Sequence, residues 1–254
     1  MQLRTPAALA VTSVLLLGGV AACSSSTSTS TESPTSVAPS AEATPNGVQK
    51  ESADKILESA KAAAKEATSV KLAVVTDSDG TEVRTDLSIS DAGSQGTLGQ
   101  PDGASVEVVS TPDTIYVKGD AFAQSLGGEA AAQTQGKWVS IPTDNPAAQS
   151  FTGLNSIDSF VDNVLTTPKS LTKGDEKDLN GTPAIALKSD QGTLWVATTG
   201  EPYPLQIDAP EGTKGQLTLT DWNVPVSISV PPADQVVDIT SIASAAPSPA
   251  PSAS

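Results

Sequence analysis

Two serines stand three residues ahead of a lysine, Ser52 before Lys55 and Ser170 before Lys173, a spacing at which a lysine could activate a hydroxyl for attack. That chemistry needs further elements, Ser-Asp-Asn and Lys-Thr-Gly, and neither occurs in the chain. Asp77-Ser78-Asp79-Gly80 has the oxygen ligands of a calcium loop. The glycine falls at the fourth position instead of the sixth, however, and Ser88 stands where the closing glutamate belongs, so a plain turn is expected. Asp158 and Asp162 are one helical turn apart, opposite the apolar stripe, where carboxylates are ordinarily solvated. Asn180-Gly181-Thr182 fits a glycosylation sequon and fits a two-residue hairpin turn better. Histidine is absent, which removes the commonest general base and the commonest transition-metal ligand. These residues argue against an enzyme, and no cofactor or metal is expected.

The only cysteine, Cys23, has a different role. Residues 1–22 carry one charge, Arg4, then an apolar run centred on Leu15, Leu16 and Leu17, then small residues up to Ala22. This is the order and length of a secretory signal, too short to span a bilayer. The ending Val20-Ala21-Ala22-Cys23 resembles the lipobox of bacterial lipoproteins, in which cleavage leaves an acylated cysteine at the new N-terminus. The expected location is the extracytoplasmic face of the cell membrane, with the protein held there by lipid at Cys23. Two or three acyl chains are enough for stable anchoring, at about 0.8 kcal/mol per buried methylene.

A net charge of −15 argues against nucleic acid, whose counterions must be displaced by clustered cations. Aromatic residues make up 3% of the chain, so the apolar mass is aliphatic. Residues 23–48 are Ser-, Thr-, Pro- and Ala-rich and read as a disordered tether, as do residues 243–254 as a tail. One domain, residues 49–242, remains between them, expected as a monomer.

Within it, residues 50–68 have helical spacing of Ala53, Ile56, Leu57, Ala60, Ala64 and Ala67. From residue 69 the period becomes two, and strands are predicted at 69–76, 82–90, 96–100, 105–110, 114–119 and 137–141. A short helix and a loop are expected over 120–136. Leu154, Ile157, Phe160, Val161, Val164 and Leu165 form the most amphipathic helix, capped by Asn155 or Ser156 and stopped before Pro168. Further strands are predicted at 171–179, 184–189, 193–198, 205–209 and 216–222, with Asn180-Gly181 turning the first pair. The sum is α+β: an antiparallel sheet with one apolar face under two or three helices. The pattern alone describes a packed core as well as a binding cavity.

The final strands carry a resemblance. Leu194-Trp195-Val196-Ala197, the turn Thr199-Gly200-Glu201-Pro202-Tyr203-Pro204-Leu205, and Asp221-Trp222-Asn223-Val224-Pro225-Val226 ahead of Pro231-Pro232 resemble the closing segment of the actinobacterial LppX/LprG lipoproteins. Thr114-Ile115-Tyr116-Val117-Lys118-Gly119 and Lys137-Trp138-Val139 stand where that family has its middle strands, and the likeness extends over residues 49–238. It implies a large curved antiparallel sheet, a half-barrel similar to the periplasmic lipoprotein carriers, with helices over the concave face. It also implies carriage of an acylated lipid or glycolipid across the envelope, together with envelope transport proteins as partners. The residues expected to face such a cargo are Leu87, Ile89, Val106, Val108, Ile115, Val117, Ile157, Val161, Val164, Ile185, Leu187, Leu194, Val196, Leu217 and Leu219, with Trp138 and Trp222 as floor or gate. The alternative is a non-catalytic interaction, assembly or sensor lipoprotein with a packed core and no lipid cargo, using the sheet face or the 120–136 loop to bind protein.

Overall fold

The computed structural model describes residues 44–78, 80–99, 104–149 and 151–245. The signal, Cys23, the tether before residue 44 and the tail from residue 246 lie outside the described residues. The chain is already engaged at Pro45, which bridges Thr199, while Asn46 N donates to the Thr198 carbonyl at 3.0 Å.

After a 3-10 turn at Val48–Lys50 comes α1 (Ala53–Glu66), with Ile56, Leu57, Ala60, Ala63 and Ala64 buried along one stripe. A meander of five strands follows: β1 (Ser69–Ser78), β2 (Thr81–Ser90), β3 (Gly93–Gly99), β4 (Ser105–Ser110) and β5 (Thr114–Lys118). Two short helices, α2 (Asp120–Leu126) and α3 (Gly128–Thr134), fill the stretch where a helix and a loop were expected, and β6 (Trp138–Pro142) continues the meander. After 3-10 turns at Pro146–Ala148 and Thr152–Leu154, α4 (Ile157–Val164) leads to a second meander. It comprises β7 (Leu171–Leu179), β8 (Thr182–Ser189), β9 (Gly192–Ala197), β10 (Pro204–Asp208) and β11 (Gly215–Thr220). The described residues end in β12 (Val236–Asp238) and α5 (Ile239–Ala245), neither of which the sequence pattern announced.

Local chemistry makes the turns. Asn180 and Gly181 both take positive φ, 54° and 89°, as a type I′ hairpin requires. Asp77 accepts a hydrogen bond from Gly80 N at 2.9 Å and pairs with Lys214 at 3.0 Å, so this stretch is a turn.

The strands form one open sheet in the order β12-β6-β5-β4-β3-β2-β1-β11-β10-β9-β8-β7. It is antiparallel except at β12, which runs parallel to β6. The two meanders grow in opposite directions from a seam between β1 and β11, where Leu72 faces Leu219 and Val74 faces Leu217. One edge, β7, is heavily charged and irregular between Lys173 and Glu176, which discourages another chain from adding to it. The result is a curved half-barrel of α+β class, with its helices on the apolar, concave face.

Register keeps the faces apart. Leu219, Leu72, Leu87, Gly96, Val108, Val117 and Val139 stand side by side across the first meander. Val74, Leu217, Ile207, Leu194 and Leu187 do the same across the second. Above this face lie three apolar clusters. α4 packs over the centre, α1 over the β8 and β9 side, and α2 and α5 over β4 to β6. Residues 221–235 leave β11 and run behind the sheet as a strap. Asn223 N donates to Ser69 O at 2.9 Å, and Ser229 N donates to Gln95 Oε1 at 3.0 Å before Val236 reaches Trp138.

Candidate functional site

Strand parity puts the expected wall residues on one surface. Leu87, Ile89, Val106, Val108, Ile115, Val117, Ile185, Leu187, Val196 and Leu219 are all at most 6% exposed, and Leu194 and Leu217 are half-buried beside them. Ile157 and Val161 of α4 are buried against this wall, with Val164 at its margin. The expected wall residues did not include Val70, Leu72, Val139, Ile141 or Phe160, the last named only within the apolar stripe of its helix, and all five are as deeply buried. The alternation in β1 and β6 carried the signal for four of them.

Trp138 is a correction. Val139 and Ile141 take the apolar side of β6, so Trp138 points to the polar side, with Lys118 Nζ 5.6 Å from its ring centroid. It can neither floor nor gate the apolar face. Trp222 sits at the rim of the central cluster, stacked on Tyr203 with centroids 4.7 Å apart and planes 6° from parallel, and its Nε1 donates to Pro204 O at 3.2 Å.

The wall is covered, and little room is left beneath α4. One space on this face, at the C-terminal end of α4, measures about 90 Å³ and is lined by Leu57, Val164, Leu165, Pro168, Leu187 and Leu194 among others. Sites for small ligands commonly span about 300–1,000 Å³, and this one falls well short of that. Phe160, Val161 and Ile157 of α4 fill the face beneath the helix, each at most 2% exposed.

α4 itself is eight residues long and is capped by Ser156, whose Oγ accepts from Ser159 N at 3.2 Å. Besides its buried side chains, polar ties at the surface hold it and the residues that follow it. Lys65 pairs with Asp162 at 2.6 Å, Lys61 Nζ donates to Thr167 Oγ1 at 3.1 Å, and Thr166 Oγ1 reaches Gln191 Oε1 at 3.0 Å. The hydrogen bond to Asp162 holds the Lys65 ammonium above its ordinary pKa, outweighing desolvation. Exposed pairs of this kind add little to stability. At the other end Ser110 Oγ donates to Asn155 Oδ1 at 2.9 Å.

The serine–lysine spacings do not become catalytic pairs. Lys173 Nζ donates to the carbonyls of Gln49 and Glu51, and Lys55 pairs with Glu51 at 3.8 Å. Among the described residues no three His, Cys, Asp or Glu side chains group to hold a metal ion. The best-held carboxylate is Asp208, on the polar face. It accepts from Trp195 Nε1 at 2.7 Å, Gln206 Nε2 at 2.7 Å and Gln216 Nε2 at 3.1 Å. Burial pushes the Asp208 carboxyl up, but these donors and the Lys177 charge outweigh it and hold the carboxyl below its ordinary range.

An open antiparallel half-barrel with one aliphatic face under short helices defines the class. Among solved structures, LprF from Mycobacterium bovis matches over 74% of this chain and 99% of its own, at 18% identity and a TM-score of 0.50. The fold is therefore of the LppX/LprG type, as the sequence resemblance implied. An uncharacterized conserved protein from Thermus thermophilus is 15% identical over 73% of this chain and 98% of its own, with a TM-score of 0.39. MucB is 16% identical over 72% of this chain and 61% of its own, with a TM-score of 0.31. No protein-family model matches the sequence, and neither does any curated protein.

Proposed function

We propose that this is a non-catalytic cell-envelope lipoprotein, held to the membrane through acylated Cys23, that binds an acylated lipid or glycolipid between sheet and α4 and carries it across the envelope. The observation that supports it is the aliphatic wall, which runs across both meanders and is covered by short helices that bury their own apolar side chains against it. Acyl chains leave a bilayer at little cost only for surroundings equally apolar, and this face supplies them once α4 yields. Entry is then an exchange, in which chains replace Ile157, Phe160, Val161 and Leu165 against the same wall.

One observation favours a second reading. The 90 Å³ left under α4 is what a packed core leaves, and an interaction or sensor module without cargo would look the same. Native mass spectrometry of the protein gently extracted from membranes separates the two. The carrier should show a mature chain beginning at acylated Cys23 plus one bound diacyl species, and should move labelled diacyl lipid between vesicles. Cross-linking Lys65→Cys to Asp162→Cys with a bis-maleimide should block uptake by fixing α4 to α1. A wild type that neither carries nor transfers lipid leaves the interaction module.

A further inference from the structure

A larger space lies on the opposite face from the aliphatic wall. A trough of about 670 Å³ runs across β11, β1, β2, β3 and β4 behind the sheet, bounded by Ser229 of the strap and ending at Trp138. Its volume falls within the range of about 300–1,000 Å³ usual for small-ligand sites, unlike that of the cavity under α4.

Three properties narrow what the trough can hold. The first is charge. The chain carries −15 overall, yet the trough is locally neutral, lined by Lys71 and Arg84 on one side of the balance and Asp86 and Glu107 on the other. Each of these charges already has its partner: Arg84 meets Asp86 through Nε at 2.7 Å and Nη2 at 2.8 Å, Lys71 meets Asp221 at 2.8 Å, and Glu107 meets Lys118 at 3.8 Å. Neither a phosphate nor a metal cation finds an unpaired counter-charge there. The second is backbone. All five strands under the trough are interior strands with neighbours on both sides, so a peptide cannot be held by strand addition. The third is the kind of side chain. Flat polar groups stand in fixed positions: the Arg84–Asp86 fork, and Gln95, whose Oε1 is held by Ser229 N and whose amide nitrogen has no partner among the described residues. Trp138 adds a flat apolar ring.

We infer that this trough is a binding site for a neutral carbohydrate chain. Balanced donors and acceptors on planar side chains match vicinal hydroxyl pairs, and an indole face matches the C–H face of a sugar ring. The site is separate from the aliphatic wall and does not depend on whether α4 moves.

Calorimetric titration of the whole lipidated chain in detergent with chitotetraose, mannotetraose and, for comparison, tetraalanine tests this. Saturable binding of at least one sugar is expected, weakened about tenfold or more by the double variant Arg84→Ala/Asp86→Ala and by Trp138→Ala. The double variant keeps the net charge, and both side chains are more than half exposed, so circular dichroism should show the fold intact. Trp195→Phe, outside the trough, should bind as the wild type does. Absence of sugar binding up to about 10 mM overturns the inference. Binding indifferent to the double variant also overturns it, as does uptake of tetraalanine with neither sugar bound.

Discussion

Replacing Phe160 by alanine asks whether α4 is a lid or part of the core. The ring is 1% exposed and packs in the central cluster, and truncating such a phenylalanine costs about 3–5 kcal/mol. If α4 lifts as a unit while the sheet persists, that loss falls on the lid equilibrium. A shift of about 3 kcal/mol raises the open fraction roughly 100-fold, and apparent lipid affinity rises by the same factor until the open form dominates. Transfer of a fluorescent diacyl lipid from vesicles measures the gain, and hydrogen exchange of the α4 amides measures the opening. Protection of α4 should fall by the full amount while protection of β1 and β2 changes little. A variant whose sheet and helix lose protection together by about 3–5 kcal/mol, with lipid uptake unchanged, would show that α4 leaves only when everything unfolds. The lid mechanism would then be wrong.

Two further expectations concern stability. Because the folded carboxyl of Asp208 titrates below its ordinary 3.8, its contribution is present above that value and is lost as pH falls through the depressed one. The melting-temperature gap between wild type and Asp208→Asn should therefore narrow from about pH 5 to about pH 2.5, and a gap independent of pH would contradict this. Gly93 has φ of 128°, and a Cβ there would run into the Ser110 carbonyl, whereas Gly200, φ 64°, has nothing within 4 Å. Gly93→Ala should lower the urea midpoint well beyond Gly200→Ala, for which about 1 kcal/mol of backbone strain is expected; equal losses would refute the close approach of β3 to β4.

Alternation and turn chemistry made most strands legible. The ranges 105–110 and 171–179 coincide with β4 and β7, and most other strand bounds fall within two or three residues. Face assignment succeeded where two aliphatics flank a polar residue, as at Leu87 and Ile89. It failed at Trp138, because a tryptophan next to Val139 looks like core until register puts Val139 inside. β12 was invisible, since three residues carry no period, and its place beside β6 depends on the strap behind the sheet. The 243–254 tail was read from composition, yet α5 extends to Ala245 and buries Ile242 in the β4 to β6 cluster. Whether the face is open or filled depends on the fit of Phe160 and Val161 to the wall, which spacing does not encode.

The seam at β1 and β11 also fixes when the molecule can exist. Lys71 pairs with Thr220, so the first strand made waits for nearly the last, and Val70, Leu72 and Val74 have no lasting cover on that side until then. At about 5–20 residues per second, the interval during synthesis is on the order of ten seconds, and sheets with such distant partners fold slowly in any case. Inside a cell an unpaired apolar strand is a hazard. For a chain threaded outward through a membrane channel the same delay is useful, because what cannot close early stays thin enough to pass. The order of the strands thus acts as a timer that holds back closure of the sheet until nearly the whole domain has been made.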